Sequence, residues 1–250
     1  MDKLIYTALS GQSAIDQRMQ QISNEVANVS TVGFKRSFAA AMETIRYDGP
    51  GFATRFVAVP NPSNSVDMKP GTVNMTGRNL DISLDGSQLL GVLAADGSVA
   101  YTRRGDLSIA QDGTLHTGAG DQVLSDAGGP ITLPALGSFK IGADGSVLVS
   151  PQGDQTSTFV PLARLQIVQP ADGKVVLRED GLFKSADGQP FPASTSPRLT
   201  AGGLEGSNAS VFAALIDMVS LSRRYEMQIK VLKQADELAQ RTQQLSKLSG

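Results

Sequence analysis

Several residue types that often carry chemistry are scarce or missing in this chain. Among its 250 residues there is no cysteine and no tryptophan, and there is one histidine. Without cysteine the chain has no disulfide, no thiol nucleophile and no cysteine-based zinc site. The absence of disulfides is typical of cytosolic proteins, and it is equally expected of a protein that is exported unfolded through a narrow channel.

An excess of charge of either sign is also lacking. The 22 lysines and arginines are balanced by 24 acidic residues, which gives a net charge of -2. Nucleic acids and anionic membranes bind surfaces with a local basic excess, and no run of lysine and arginine exceeds two residues. The sequence therefore predicts no nucleic-acid partner.

Long apolar runs are missing as well. The longest apolar run near either end covers residues 211–216, far below the roughly 20 residues that span a bilayer. The first eleven residues do not combine a basic region with a following apolar stretch. We therefore predict neither membrane insertion nor a cleaved signal peptide.

Catalytic and metal-binding patterns are not grouped anywhere in the sequence. His116 is the one histidine and stands beside a turn; the partners that a general base or a metal ligand needs are not grouped around it, so a structural role is favoured. The Asp-Gly pairs lack the ligand spacing of calcium loops, and the glycine pairs lack the setting of phosphate loops. The sequence predicts no enzyme activity, no cofactor, no metal and no small-molecule substrate.

Glycine and proline divide the chain into helical ends and a non-helical middle. All 12 prolines lie between Pro50 and Pro197, Gly11 is the one glycine in the first 32 residues, and residues 207–249 contain neither type. Because both residues destabilise helix interiors, helices are predicted from about residue 3 to 31 and after residue 207. Asn208 is the predicted N-cap of the second helix.

Apolar residues at steps of three and four form a narrow stripe on each predicted helix. Such a stripe favours a coiled-coil seam that packs against other subunits, although periodicity alone leaves open a helical hairpin on an ordinary globular core. The predicted subunit-packing residues are Ile15, Met19, Ile22, Val26, Val211, Leu215, Met218, Tyr225, Ile229 and Leu232.

The middle of the chain has the pattern of an antiparallel β-domain. Seven Asp-Gly pairs, between Asp85-Gly86 and Asp187-Gly188, separate short apolar strands. In the longest strand the alternation slips near Ala163, which predicts a bulge. The predicted fold is α+β: a discontinuous coiled-coil domain of terminal helices (1–32 and 207–250), an extended linker (33–79) and an antiparallel β-domain (80–206).

Two motifs at the inner ends of the helices are more specific than periodicity. The first contains Asn24, Ala27, Asn28, Thr31, Gly33, Phe34 and Lys35, and the second contains Leu204, Glu205, Ser207, Asn208, Arg224, Tyr225 and Glu226. They resemble the N-terminal and C-terminal signatures of the bacterial flagellar rod and hook proteins. One departure is Asn208-Ala209-Ser210, where that family usually has Asn-Val-Asn. Further similar segments, such as Asp180-Gly181-Leu182-Phe183, extend the likeness over nearly the whole chain.

The resemblance implies a structural subunit of the flagellar basal-body proximal rod. It implies that the terminal helices assemble with related rod proteins around a channel, forming a shaft that transmits torque across the periplasm. It also implies export by the flagellar type III apparatus without cleavage. The alternatives are a distal-rod or hook paralogue, or a β-rich adhesin or binding module with a coiled-coil stalk. For single residues, we expect Gly33 to stop the first helix and Phe34 to anchor the linker against a helix or a neighbour. We expect Asn24, Asn28 and Thr31 to satisfy backbone groups where regular structure ends.

Overall fold

The computed structural model describes residues 2–37, 42–47, 55–60, 66–150, 158–171 and 173–248. In chain order its elements are α1 (Asp2–Ala27), β1 (Met42–Tyr47), β2 (Arg55–Pro60), β3 (Val73–Met75), β4 (Ile82–Leu84), β5 (Leu89–Leu93), β6 (Val99–Thr102), β7 (Leu107–Ile109), β8 (Leu115–Thr117), β9 (Gln122–Val123), β10 (Ser138–Ile141), β11 (Ser146–Ser150), β12 (Val160–Arg164), β13 (Ile167–Val168), β14 (Val175–Leu177), β15 (Phe183–Ser185), β16 (Leu199–Ala201), β17 (Gly203–Glu205) and α2 (Val211–Leu248). The fold is α+β.

These elements fall into two compact units. The helical unit contains α1, α2 and the antiparallel ribbon β1–β2, and the β-unit contains the remaining strands together with residues 28–37. This division differs from the expected extended linker at 33–79, because that range includes β1, β2 and β3. Each of these strands satisfies its backbone groups by antiparallel pairing, β3 with β17.

In the helical unit α1 and α2 run antiparallel. Gly11 of α1 lies beside Gln228 of α2, whereas Arg18, further along α1, pairs with Asp217, further back along α2, at 3.1 Å. Ile22, Ala214 and Leu221 are buried between the helices. The two predicted terminal helices therefore pack against each other and share one small apolar core.

Both helices differ from the prediction at their inner ends. Helix α1 ends at Ala27, and the following turn is closed by hydrogen bonds from the Thr31 amide and hydroxyl to Asn28, both 3.1 Å. Helix α2 begins at Val211, and the N-cap is Ser210, whose Oγ accepts from the Ala213 amide at 3.4 Å. The prediction that Asn208 is the N-cap was wrong, because its side chain is engaged elsewhere.

The β-unit is antiparallel in every strand pairing that the described residues show. Its main sheet has eight strands in the order β14-β15-β6-β5-β9-β8-β7, with β13 also paired to β5. A three-stranded sheet (β10-β11-β12) and the ribbons β16-β4 and β17-β3 complete the unit. The core consists of aliphatic side chains that include Ile82, Leu90, Val92, Leu107 and Leu165.

Local turn chemistry follows the sequence closely here. The glycine of each of the seven Asp-Gly pairs between Asp85 and Gly188 has a positive φ, from 54° at Gly86 to 82° at Gly113 and Gly181, which glycine adopts at little cost. The predicted bulge is confirmed. Val147 pairs with Ala163 and Leu148 with Pro161, so Leu162 is the extra residue of β12.

Candidate functional site: the helix pair and the motif junction

Half of the predicted packing residues lie between α1 and α2 of the same chain. Ile22 is fully buried, and Ile15, Met19, Val26 and Met218 are partly buried against the core that it forms with Ala214 and Leu221. These side chains hold the two helices together. Their contacts follow the steps of three and four along α1 that the sequence shows.

The other predicted packing residues are more exposed. Val211, Leu215 and Tyr225 are 37%, 49% and 42% exposed, and Ile229 and Leu232 are half-buried. The stripe predicted for α2 therefore packs against α1 through Met218, and its other residues are half-buried or exposed.

A second apolar stripe on α2 was missed in the sequence, except for Leu215, which was one of the predicted packing residues. We call Phe212, Leu215, Ile216, Val219 and Met227 the α2 apolar face, because steps of three, four and eight residues place them on one side of the helix. Phe212 is 81% exposed, Ile216 70%, Met227 58% and Val219 55%. Arg223 and Arg224 line the same shallow groove as this face.

In the β-unit three charged side chains meet in the interior. The Lys35 ammonium and the Arg103 guanidinium both bind the Glu205 carboxylate, and none of these side chains is more than 1% exposed. Lys35 Nζ lies 2.6 Å from Glu205 Oε1, and Arg103 Nε lies 2.8 Å from Oε2, with Nη2 donating to the same oxygen. Buried ions require this kind of pairing to offset the loss of hydration.

Backbone groups complete the coordination of this ion cluster. Glu205 Oε1 also accepts from the Gly71 amide at 2.8 Å, and Lys35 donates to the Lys69 carbonyl at 2.7 Å. Arg103 donates to the carbonyls of Leu84, Gly86 and Gln88 at 2.7 to 2.9 Å. Arg103 is thus held by three backbone carbonyls as well as by Glu205.

Burial shifts the protonation equilibria of both cations. It lowers the pKa of the Lys35 ammonium, and the hydrogen bond to Glu205 opposes that change. Burial likewise lowers the pKa of Arg103, against the attraction of Glu205. The cluster carries two cations for one adjacent carboxylate, and Asp67 and Asp85 add attraction for Lys35 and Arg103 respectively.

Asn208 links the two motif segments beside this cluster. Its Oδ1 accepts from the Arg36 amide at 2.8 Å, and its Nδ2 donates to the carbonyls of Asp67 and Lys69 at 2.8 and 3.1 Å. Its own amide donates to the Phe34 carbonyl at 3.3 Å. We call residues 33–36, 67–71, 103 and 205–208 the motif junction.

Close backbone packing at the junction requires glycine. Gly33 has φ +68°, and a Cβ at this position would lie 2.5 Å from the Arg103 carbonyl. A Cβ on Gly71 would collide with the Gly206 carbonyl. The expectation that Gly33 stops α1 was wrong, since the helix ends six residues earlier and Gly33 instead allows this close approach.

The remaining motif residues are dispersed. Asn24 and Ala27 are exposed on α1, and Arg224, Tyr225 and Glu226 are exposed on α2. Phe34 and Leu204 are half-buried, and Ser207 Oγ accepts from the Ala209 amide at 3.1 Å. Sequence reasoning did not single out Arg103 as a site residue. Its spacing from Tyr101 could have indicated that Arg103 is buried. The two residues are two positions apart, and in an extended segment such residues lie on the same side.

Other kinds of site are not found in the described parts of the chain. No group of three or more potential metal-ligating side chains occurs there, and none of the helices is long and apolar enough to cross a membrane. His116 bonds through one ring nitrogen to Thr114 Oγ1 at 2.7 Å and through the other to the Gly120 carbonyl at 2.8 Å. It therefore ties a turn together, as the sequence predicted.

Comparison with known families gives three matches along the chain. Residues 5–35 match the flagella basal body rod protein family, and residues 83–149 match the D1 domain of the flagellar hook proteins FlgE/F/G. Residues 200–245 match the C-terminal family of the flagellar basal body rod FlgEFG proteins. The first and third of these segments contain both motif segments of the junction.

Comparison with curated proteins extends the likeness to full length. The chain is 36% identical to the flagellar basal-body rod protein FlgF of Salmonella typhimurium and 35% identical to that of Escherichia coli, with 100% of each chain covered. It is 30% identical to the flagellar basal-body rod protein FlgG of Bacillus subtilis, over 96% of this chain and 97% of the relative. The chain therefore belongs to the FlgF family of flagellar basal-body rod proteins.

Proposed function

We propose that this chain is a structural subunit of the flagellar basal-body rod, in its proximal part, and that it assembles through its terminal helices. The α2 apolar face packs against helices of neighbouring rod or hook-type subunits in a coiled-coil manner. The resulting shaft transmits torque across the periplasm. The full-length likeness to FlgF relatives supports the proximal rod over the distal-rod or hook alternative, and the adhesin alternative is not favoured.

The observation that carries the assembly surface is the exposure of the α2 apolar face. Its five large apolar side chains are between 49% and 81% exposed on one stripe of a single helix. A contiguous exposed apolar stripe of this kind marks an interaction surface. Steps of three and four residues are also the spacing with which one helix packs against another.

The family also bears on where the chain is located and how it is exported. We propose that the chain reaches the basal body through the flagellar type III apparatus, without removal of a signal peptide. The family membership supports the location in the basal body, and the export route is a prediction that rests on the resemblance alone.

Substitution on the α2 apolar face tests the assembly proposal. We expect Phe212→Ser and Ile216→Ser to leave the monomer folded, because both side chains are largely exposed there. In a strain whose own copy is deleted, the variants should reduce swarming and be lost from purified basal bodies. The matched control is Leu136→Ser in the β-unit, which removes an apolar side chain that is 68% exposed. Normal incorporation of both α2 variants would refute the proposed surface.

Photocrosslinking identifies the neighbours directly. A crosslinker at Ile216 should join this chain to other rod subunits in intact basal bodies, since that side chain points away from α1. A crosslinker at Met218, which packs between α1 and α2, should give mainly a product within one chain. Interchain products from Met218 and none from Ile216 would reverse the assignment of the two sides of α2.

A further inference from the structure

The motif junction brings together two segments of the β-unit, one that follows α1 and one that precedes α2; the chain also passes between the two units before β1 and after β2. Residues 33–36 follow α1, residues 205–208 precede α2, and we call these two segments the exits. They lie side by side, because the Gly33 amide donates to the Glu205 carbonyl at 2.7 Å and the Asn208 amide donates to the Phe34 carbonyl at 3.3 Å. Lys35 and Glu205 are 170 positions apart in sequence, so this adjacency is produced by folding alone.

One side chain connects three distant parts of this arrangement. The Glu205 carboxylate binds Lys35 in the first exit, the Gly71 amide beside it and Arg103 beneath it. All of these bonds are made to an ionised group away from water, where hydrogen bonds are strongest. Their loss would leave buried donors without an acceptor, which costs more than the bond itself contributes.

The consequence of losing Glu205 is unequal for its two cations. Arg103 would retain the carbonyls of Leu84, Gly86 and Gln88. For Lys35 the described contacts leave only the Lys69 carbonyl. The loss therefore falls mainly on the first exit and the neighbouring segment 69–71, and the aliphatic core of the β-unit contains none of these charged groups.

We propose that Glu205 is a latch that keeps the two exits side by side independently of the core. While the Glu205 carboxylate holds both exits, they open only when the rest of the β-unit unfolds. With the carboxylate neutralised, both exits open locally while the strands beneath stay folded. This inference goes beyond the proposed assembly through α2 and does not depend on it, because it concerns the monomer.

Amide hydrogen exchange of the full-length monomer tests the latch. In Glu205→Gln the side chain keeps its size, but its amide group presents donors to two buried cations. We expect the amides of Gly33, Gly71 and Asn208 to exchange about tenfold faster or more, the effect of one ordinary hydrogen bond. The amides of the main sheet, such as that of Val92, should exchange as in the parent.

A second variant and a control keep the test decisive if Glu205→Gln does not fold. Lys35→Met leaves the Arg103–Glu205 pair in place and should loosen the first exit and residues 69–71 alone. Glu179→Gln removes the same charge from an exposed position and should change neither region. Unchanged exchange at the exits in Lys35→Met would overturn the latch. So would equally faster exchange throughout the main sheet, since Glu205 would then support the whole β-unit rather than its exits.

Discussion

At the scale of single residues, glycine has two separate roles in the β-unit. Gly97 has φ +78° with nothing within 4 Å of a Cβ position, so its requirement is conformational only. Gly33 has φ +68°, and a Cβ at this position would also lie 2.5 Å from the Arg103 backbone. The two positions differ in steric surroundings while sharing the left-handed conformation, which makes them a matched pair.

We predict that Gly33→Ala destabilises the β-unit more than Gly97→Ala. The left-handed conformation alone costs about 1–2 kcal/mol for alanine. At Gly33 the clash with backbone adds to this, so a total above about 3 kcal/mol is expected. Urea unfolding measures both values. Equal losses at the two positions would show that the junction backbone moves aside without cost.

Aspartates in three of the turns titrate at unusually low pH. Hydrogen bonds from Ser98, Ser146 and Ser185 lower the pKa of Asp96, Asp144 and Asp187, each to about 2. A carboxylate whose folded pKa is lower than its unfolded value of about 3.8 stabilises the fold above that unfolded value. That contribution is lost as the pH falls towards 2.

The free energy of unfolding is therefore expected to decrease between pH 4 and pH 2. In a triple variant with Asp96→Asn, Asp144→Asn and Asp187→Asn this decrease should be smaller, because asparagine keeps an oxygen acceptor in each turn but does not titrate. Chemical unfolding at a series of pH values gives the two slopes. If the slopes coincide, the turn carboxylates do not contribute to acid sensitivity.

At the scale of elements, the helix pair depends on a small core. Ile22, Ala214 and Leu221 are its buried members in the described part of the unit. Ile22 is fully buried, so truncating it creates a cavity between α1 and α2.

We predict that Ile22→Ala destabilises the helical unit by about 2–4 kcal/mol. The loss should appear as faster amide exchange in α1 and α2, with the β-unit amides unchanged. The control is Gln20→Ala, two residues away and exposed on the same helix. Protection that falls in both units together would contradict the division into two units.

The elements also show which features of the fold could be predicted from the sequence. Turns and strands were predictable because Asp-Gly pairs and alternation act locally, and the bulge near Ala163 was visible as a break in alternation. The outward side of α2 was not, because apolar residues occur on both sides of this helix and the sequence does not reveal which side meets α1. The junction depends on the pairing of Lys35 with Glu205 across 170 positions, which no local pattern encodes.

At the scale of the whole molecule, the described residues of the two units differ greatly in buried apolar content. The described helical core has three buried residues, whereas the larger core of the β-unit has seventeen. Since apolar burial is the main stabilising contribution, the helical unit should be the less stable one in an isolated monomer.

Calorimetry of the monomer should consequently show two transitions. We expect the first to coincide with the loss of helical circular dichroism at 222 nm, a conventional helix wavelength, and the second to report the β-unit. Ile22→Ala should lower the temperature of the first transition, and Gly33→Ala that of the second. A single transition that both variants shift would contradict independent unfolding.

The backbone bond between the Asn208 amide and the Phe34 carbonyl, 3.3 Å long, has a further consequence for how this architecture can change. A polypeptide insert whose first and last residues are adjacent replaces a loop of its host without moving the flanking chain. The chain between these two residues is such an insert, and it contains β1 and β2 of the helical unit as well as most of the β-unit. A different module whose ends are paired in the same way could therefore be grafted in its place, joined to unchanged terminal helices.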